Sequence, residues 1–540
     1  MKKYNNKKII EFVKIVMMVG MVVAVTCFPY RKEGLSGYFP DLMYHMLRIE
    51  GVKEALLEGI YPIGIYTNFF NGYGYGSPLF YPDIFLIFPA FLRILSIEPL
   101  VTWKIFAGCI AITGTLTTFF SIRHICKDSD CSIAATFLIM LSQFWLADLI
   151  HRVGISEYLA FVFIPVLIAG IYDFFVFDGN KTYLMGVGLV GLLLSHTIMT
   201  FIALAVTLIT FVMMIFVKKD ELYLFNKCKM RKLVITAVCT LLVCAYYIFP
   251  MLEQMSSDTF QYSTPWAAIS NNTQPFSSFF RTTGYFSLIA YVGIGVPILV
   301  LLVVCLCLKK PKNKGVYAFL ISGIVLFLIS TPIFPWIILE KTIFNMIQFT
   351  YRLWPFAILF VVIGIALVLE FNLKNKKLLK CAVVTLISMS SIIAGLYQNN
   401  NPMVKFPTEY SKQISEDYLK TNNNYVGAGE WLPVDISEGV EDLNATTEIV
   451  SEGNYKIYPL IYYKGYTAWV LSENGEKINI PIEKSEQGLV KVYNEFNNED
   501  SEIYVEYTGT VIQEISKIIS VVTIGIMVVY KIVKYREKKG

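Results

Sequence analysis

Long apolar runs joined by short polar links fill most of this chain. The runs cover 9–30, 100–121, 132–149, 157–177, 183–196, 197–217, 233–252, 286–308, 315–332, 351–370, 378–396 and 513–534. At about 1.5 Å of rise per residue, each is long enough for a tilted or slightly short membrane-spanning helix. The pair 183–196 and 197–217 reads as two helices, because a single helix of about 35 residues would overshoot a bilayer. The stretch 77–97 is apolar but carries Pro78, Pro82, Asp83, Pro89 and Arg93. It is expected as an interfacial or shallow re-entrant helix. Twelve spans result.

One late segment has a different period. Asn454-Tyr455-Lys456-Ile457-Tyr458-Pro459-Leu460-Ile461 and Leu489-Val490-Lys491-Val492-Tyr493 alternate, with Asn-Gly and Lys-Gly turns between such runs. Alternation with turn residues predicts antiparallel strands. The expected fold class is an all-α polytopic membrane protein with a small β-sandwich-like domain before the last span. Its divisions are a transmembrane domain 1–396 with a long loop 31–99, an acidic β-rich domain 397–512, and a last span with a basic tail, 513–540.

Lys and Arg orient the spans. Basic clusters at 2–8, 123–127, 218–232, 309–314, 374–380 and 531–540 all fall on one side, which is then cytoplasmic and holds both termini. The long loops 31–99, 253–285, 333–350 and 397–512 face outward. The first apolar run lacks a small-x-small cleavage site and reads as an uncleaved helix. The expected location is the bacterial cell membrane, with the β-domain outside the cytoplasm.

Composition agrees with this reading. The 540 residues are 55% hydrophobic and 16% charged, against about 25% charged in soluble domains. Residues 397–512 hold 8 Lys/Arg and 19 Asp/Glu, a net of −11, which leaves +16 on the rest. The basic part has short loops, so its charge reads as topology and excludes a nucleic-acid partner. The 10 cysteines show no metal spacing, against both a zinc site and a disulfide framework.

Candidate chemistry gathers on the outer face. In Phe39-Pro40-Asp41-Leu42-Met43-Tyr44-His45-Met46-Leu47-Arg48, Pro40 suits a first helical turn. Asp41, His45 and Arg48 then share a face, although an acid in that turn also complements the helix dipole. Asn71 lies in a Gly- and Tyr-rich turn, 68–78, whose aromatics suit a sugar. Asp148-Leu149-Ile150-His151-Arg152-Val153-Gly154-Ile155-Ser156-Glu157 packs ionisable residues between two apolar runs. His196 and Arg352 stand at the outer ends of further spans. Arg suits phosphate oxygens. Transfer of a sugar from a lipid phosphate needs this set: a carboxylate to take the acceptor proton and cations for the departing phosphate. No phosphate-binding P-loop, dinucleotide fingerprint or hydrolase elbow occurs, which points away from a cytosolic nucleotide donor.

The first-loop Asp41, the interfacial stretch before the second span and the outward β-domain resemble the GT-C superfamily of membrane glycosyltransferases. More closely, Phe39-Pro40-Asp41, Asn71-Gly72-Tyr73-Gly74-Tyr75-Gly76-Ser77-Pro78, Leu194-Ser195-His196, Ile347-Gln348-Phe349 with Tyr351-Arg352, and Gly427-Ala428-Gly429-Glu430-Trp431-Leu432-Pro433 resemble bacterial membrane proteins called 6-pyruvoyl-tetrahydropterin synthase-related, neighbours of the YfhO-type transferases. Pterin-synthase chemistry would need a three-histidine zinc site on a small αβ fold. His45, His151 and His196 share a predicted face, but the expected fold is different. The resemblance implies Asp41 as catalytic base and, by a looser match, Glu157 as a second acidic residue for metal or acceptor; from the residues themselves, Arg152 or Arg352 is expected on the donor phosphate. His45, Arg48, Asn71 and His196 support them. It implies a polyprenyl-phosphate sugar as donor and a cell-envelope glycopolymer, lipid or protein as acceptor, and leaves a divalent cation open as cofactor. A glycolipid transporter or flippase, and a non-catalytic envelope assembly protein, are the competing readings.

Overall fold

The computed structural model describes residues 2–31, 39–217, 226–263, 268–281, 285–286, 290–291, 293–309, 311, 314–400, 414–421, 429–436, 450–452, 454–472, 474–493 and 502–537. They form two compact units. The first comprises Met1–Leu42, Ile97–Ala237 and Ala267–Ser415; the second comprises Met43–Ser96, Val238–Trp266 and Glu416–Gly540.

The first unit is helical apart from the short strand pair Tyr285–Phe286 and Ala290–Tyr291, which falls at the start of the expected span 286–308. Among the described residues six helices are long and apolar enough to cross a membrane, or eight if each of two bent pairs counts as one crossing. By helix length and composition the chain is a multi-pass membrane protein. Five of the six have at least their apolar core in the first unit: Lys8–Thr26, Pro99–Cys126, Ile155–Val176, Thr350–Leu373 and Lys377–Asn399. At about 1.5 Å per residue, the 22 residues of Ile155–Val176 span roughly 33 Å, about the thickness of a bilayer core. Four expected spans appear as shorter apolar helices: Tyr183–Leu193, Thr197–Met213, Val296–Cys307 and Gly315–Ile329. Close approach of Ile155–Val176 and Tyr183–Leu193 depends on Gly188, where a Cβ would lie 2.6 Å from the Leu167 backbone nitrogen. Small residues permit such packing where lipid offers no hydrophobic driving force.

The run 132–149 is not one straight helix. Ser129–Met140 ends, Ser142 caps the next turn by accepting from the Trp145 N–H at 3.4 Å, and the two pieces meet at 47°. A π-helical turn over Asp148–Arg152 follows, then Val153 in the left-handed region and Gly154, before Ile155–Val176 begins. Hydroxyl capping and a π turn are common causes of helix breaks. This irregular link places the polar residues 148–157 between two apolar helices.

The second unit holds the β-rich part. Four antiparallel strands run Val450–Glu452, Tyr455–Ile461, Leu489–Tyr493 and Ile482–Lys484; three more run Lys477–Ile480, Tyr466–Leu471 and Ile503–Tyr507. Their inward residues Ala468, Val470, Ile480, Val490 and Val492 form one core. Chain order does not foretell that 43–96 and 238–266 join this unit. An aromatic cluster makes the connection: Phe80 stacks on Trp431 with centroids 5.2 Å apart, and Tyr463 donates to the Trp431 carbonyl at 3.0 Å. The stretch 77–97 is broken into Ser77–Phe80, Ile84–Leu86 and Ile87–Ile94, none long enough to cross a bilayer. The sixth long helix, Val511–Glu537, packs on Ala245–Ser257, with the Tyr246 N–H donating to Ser520 Oγ at 2.9 Å.

Candidate functional site

The helix Phe39–Leu57 starts one residue before Pro40, with Asp41 in its first turn. Asp41 Oδ2 lies 3.8 Å from Arg152 Nε. Arg152, at the end of the π turn, also donates through Nη1 to Asp148 Oδ1 at 3.1 Å and to Glu157 Oε2 at 2.5 Å. Arg352 reaches the same Glu157 oxygen through Nε at 3.2 Å. Glu157 thus sits beneath two guanidiniums and links them.

Arg352 is held from its other side. Its Nη1 donates to the Ile347 carbonyl at 2.8 Å and to Gln348 Oε1 at 2.9 Å. Gln348 has φ 61°, a left-handed conformation that non-glycine residues avoid. Thr350 anchors the same turn: its Oγ1 donates to the Ser330 carbonyl at 2.6 Å and accepts from the Gln274 N–H at 3.2 Å. The Arg152 guanidinium carbon lies 5.5 Å from the Tyr351 ring centre, within cation–π range.

Accessibility grades the cluster. The Asp41 side chain is 36% exposed and Arg152 14%, whereas Arg352, Glu157 and Asp148 are buried. Asp148 Oδ2 and Glu157 Oε1 have no hydrogen-bond partner among the described residues. Leaving such an atom unmet costs about 1–3 kcal/mol, so the cluster carries stored polar demand. Solvent still reaches the Asp41 carboxyl. Desolvation by the surrounding protein holds its carboxyl above the ordinary carboxylate pKa, and Glu157 adds to this. Arg152 and Arg352 pull the other way. With all groups ionised, three carboxylates face two guanidiniums, a net of one negative charge.

Asp41, Glu157, Arg152 and Arg352 are therefore brought together in the first unit. His196 is close enough to act on Glu157 electrostatically, and its Nδ1 accepts from the Met199 N–H at 3.2 Å. His45, Arg48 and Asn71 belong to the second unit. Arg48 is wholly buried and donates to Asp83 Oδ1 at 2.5 Å and to the Pro82 carbonyl at 2.9 Å. Tyr66 donates to the other Asp83 oxygen at 2.6 Å. The shared face expected for Asp41, His45 and Arg48 thus serves two separate polar networks. Asn71 takes the left-handed conformation in the turn Phe69–Gly72, a role in which Asn is favoured. The side chain of His151 lies outside the described ones.

Asp148 and Gln348 join the site although no role for either follows from the sequence pattern. Their signal was proximity: Asp148 precedes Arg152 by one helical turn, and Gln348 does the same for Arg352. Among the described residues no three His, Cys, Asp or Glu side chains are grouped to hold a metal ion. The carboxylates converge on arginines instead.

No protein-family model matches the chain. It is 24% identical over 351 residues to an uncharacterized protein of Lactococcus lactis subsp. cremoris, covering 62% of this chain and 55% of that one. The chain thus spans about half the length of this curated relative. Among solved structures it overlaps the arabinofuranosyltransferase AftD from Mycobacteria at 15% identity and a TM-score of 0.46, over 71% of this chain and 27% of that one. It overlaps an oligosaccharyltransferase of Archaeoglobus fulgidus, in complex with zinc and sulfate, at 13% identity and a TM-score of 0.43, over 86% and 72%. Overlap at that level does not establish a shared fold.

Proposed function

We propose that this protein is a membrane glycosyltransferase that moves a sugar from a polyprenyl-phosphate donor to a cell-envelope acceptor on the outer face of the membrane. The observation that carries the reading is the position of Asp41: an accessible carboxylate of raised pKa beside two arginines fixed by one buried glutamate.

The chemistry follows from that arrangement. Asp41 takes the proton of an acceptor hydroxyl. The hydroxyl oxygen forms a bond to the anomeric carbon as the bond from that carbon to the phosphate oxygen breaks. The electron pair leaves on the polyprenyl phosphate, next to Arg152 and Arg352. Protonation of Asp41 removes one negative charge from the cluster as the leaving phosphate gains one. The two changes offset each other, and the preformed guanidiniums stabilise the charge where it develops. A base with a pKa nearer the working pH is also a better proton acceptor at the transition state. Glu157, buried below the arginines, positions them. Attack opposite the leaving phosphate inverts the anomeric centre.

The test uses the full-length protein and its Asp41→Asn variant in proteoliposomes, with radiolabelled polyprenyl-phosphate sugars and envelope acceptor. Label transfer by the parent and none by the folded variant is the expected result. Equal transfer by both would move the base elsewhere. A second reading, translocation of a glycolipid, is favoured by one feature: the break at 140–143 and the π turn next to buried carboxylates, since broken helices beside charged groups also occur in transporters. It expects label to cross the bilayer without transfer.

A further inference from the structure

A separate cavity lies wholly within the second unit, with a volume of 290 Å³, close to the lower end of the roughly 300–1,000 Å³ of small-molecule sites. We propose that it binds a neutral saccharide, the glycan portion of the acceptor. The inference rests on the transferase reading only for the word acceptor.

The walls are aromatic. Tyr61, Tyr246 and Tyr507 line the cavity, and the Tyr61 and Tyr246 hydroxyls interact with each other. The C–H faces of a sugar ring pack on such rings, while its hydroxyls need fixed polar partners. Two partners are built in. Asp83 is buried at the cavity wall, oriented from behind by Arg48 and Tyr66. Its carboxylate can still accept, because each ionised carboxyl has about four lone-pair sites. Gln513 is clamped at both ends: Nε2 donates to Tyr507 Oη at 2.7 Å, and Oε1 accepts from the Thr510 N–H at 3.0 Å. A polar group held in advance lowers the ordering cost of binding.

Charge selects the ligand class. Asp83 is matched by Arg48, and Glu514 and Lys517 at the lining pair with each other at 2.9 Å. Among the described residues the cavity lining therefore holds no uncompensated cation for a phosphate. A neutral polyol fits it, whereas the donor's lipid phosphate fits the arginine cluster of the first unit.

The test is binding of neutral disaccharides, built from hexose and N-acetylhexosamine, to the detergent-solubilised protein by saturation-transfer NMR and titration. Inorganic phosphate serves as the anionic probe. At least one disaccharide is expected to bind, phosphate is expected not to compete, and both Tyr61→Ala and Gln513→Ala are expected to weaken binding at least tenfold. Both replaced side chains lie at the cavity wall, and a wild-type melting profile of either variant confirms its fold. Asp41→Asn is expected to bind disaccharide as the parent does. The proposal is overturned if no disaccharide in the set binds, if both folded variants bind normally, or if phosphate displaces the sugar. Loss of transfer in Asp41→Asn with normal binding by the cavity variants would sink the pocket and leave the transferase. The reverse pattern would sink the transferase and leave the pocket.

Discussion

Replacing Glu157 by Gln isolates the device that holds the two arginines. The change keeps shape and one acceptor oxygen but removes the charge between Arg152 Nη1, 2.5 Å away, and Arg352 Nε, 3.2 Å away. At an effective dielectric of about 20, each close pair contributes roughly 5–7 kcal/mol of gross attraction. Desolvation offsets much of this, and losing one partner of a buried pair ordinarily costs about 3–5 kcal/mol net. Glu157→Gln should therefore lower unfolding free energy by about 3–5 kcal/mol, measured by SDS-driven unfolding in mixed micelles. Asp148→Asn should cost less, because Asp148 meets Arg152 at a longer 3.1 Å and has one oxygen with no hydrogen-bond partner among the described residues. Adding Arg352→Met to Glu157→Gln removes one stranded cation, so the pair should couple by about 0.5–3 kcal/mol. Transfer by Glu157→Gln should fall as well, since the phosphate-facing guanidiniums lose their common anchor. Parent-like stability together with parent-like transfer would refute the claim that Glu157 positions them.

Two further outcomes are expected. Because the Asp41 carboxyl is held above its ordinary value, transfer should rise with pH through an apparent pKa above about 3.9, the usual Asp value, in a pH–rate profile. The native state then binds more protons than the unfolded one between the ordinary and the raised value, so ionising Asp41 lowers stability as pH rises through that window. Asp41→Asn should thus be at least as stable as the parent above it, while inactive; a clearly less stable variant would contradict the assignment. In the second unit, Arg48→Met leaves the buried Asp83 carboxylate, among the described residues, with only the Tyr66 hydrogen bond, and should cost about 3–5 kcal/mol by the same unfolding assay.

Long apolar runs made helices legible in the sequence, but among the described residues only six are long enough to cross a membrane as single helices, four expected spans are shorter, and 132–149 and 233–252 fall in bent pairs. The sequence marked 77–97 as unlike a span, because three prolines and two charges interrupt it, and the structure shows three short helical pieces there. The alternation near 454–493 was legible for the same local reason. Other features were not. The break at 140–143 hangs on one serine hydroxyl capping a backbone N–H, and a serine in an apolar run looks the same whether it caps or packs. Helical spacing grouped Asp41 with His45 and Arg48. The partner that decides Arg48, Asp83, lies 35 residues away, and no local period reports it. The Arg352–Glu157 contact joins positions 195 apart, so the candidates could be named from sequence but their linkage through one glutamate could not. The grouping of 43–96 with 416–540 depends on aromatic contacts such as Phe80 with Trp431, which chain order hides.

The measurement closest to the central claim follows both products of one reaction. Proteoliposomes containing the protein are given a polyprenyl phosphate labelled in its sugar, and the acceptor-bound label and the freed polyprenyl phosphate are quantified together, with the anomeric configuration of the product read by NMR. The account predicts equal amounts of the two products, inversion at the anomeric carbon, and loss of both products in Asp41→Asn. Label that crosses the bilayer still attached to its lipid, with no polyprenyl phosphate released, would contradict it.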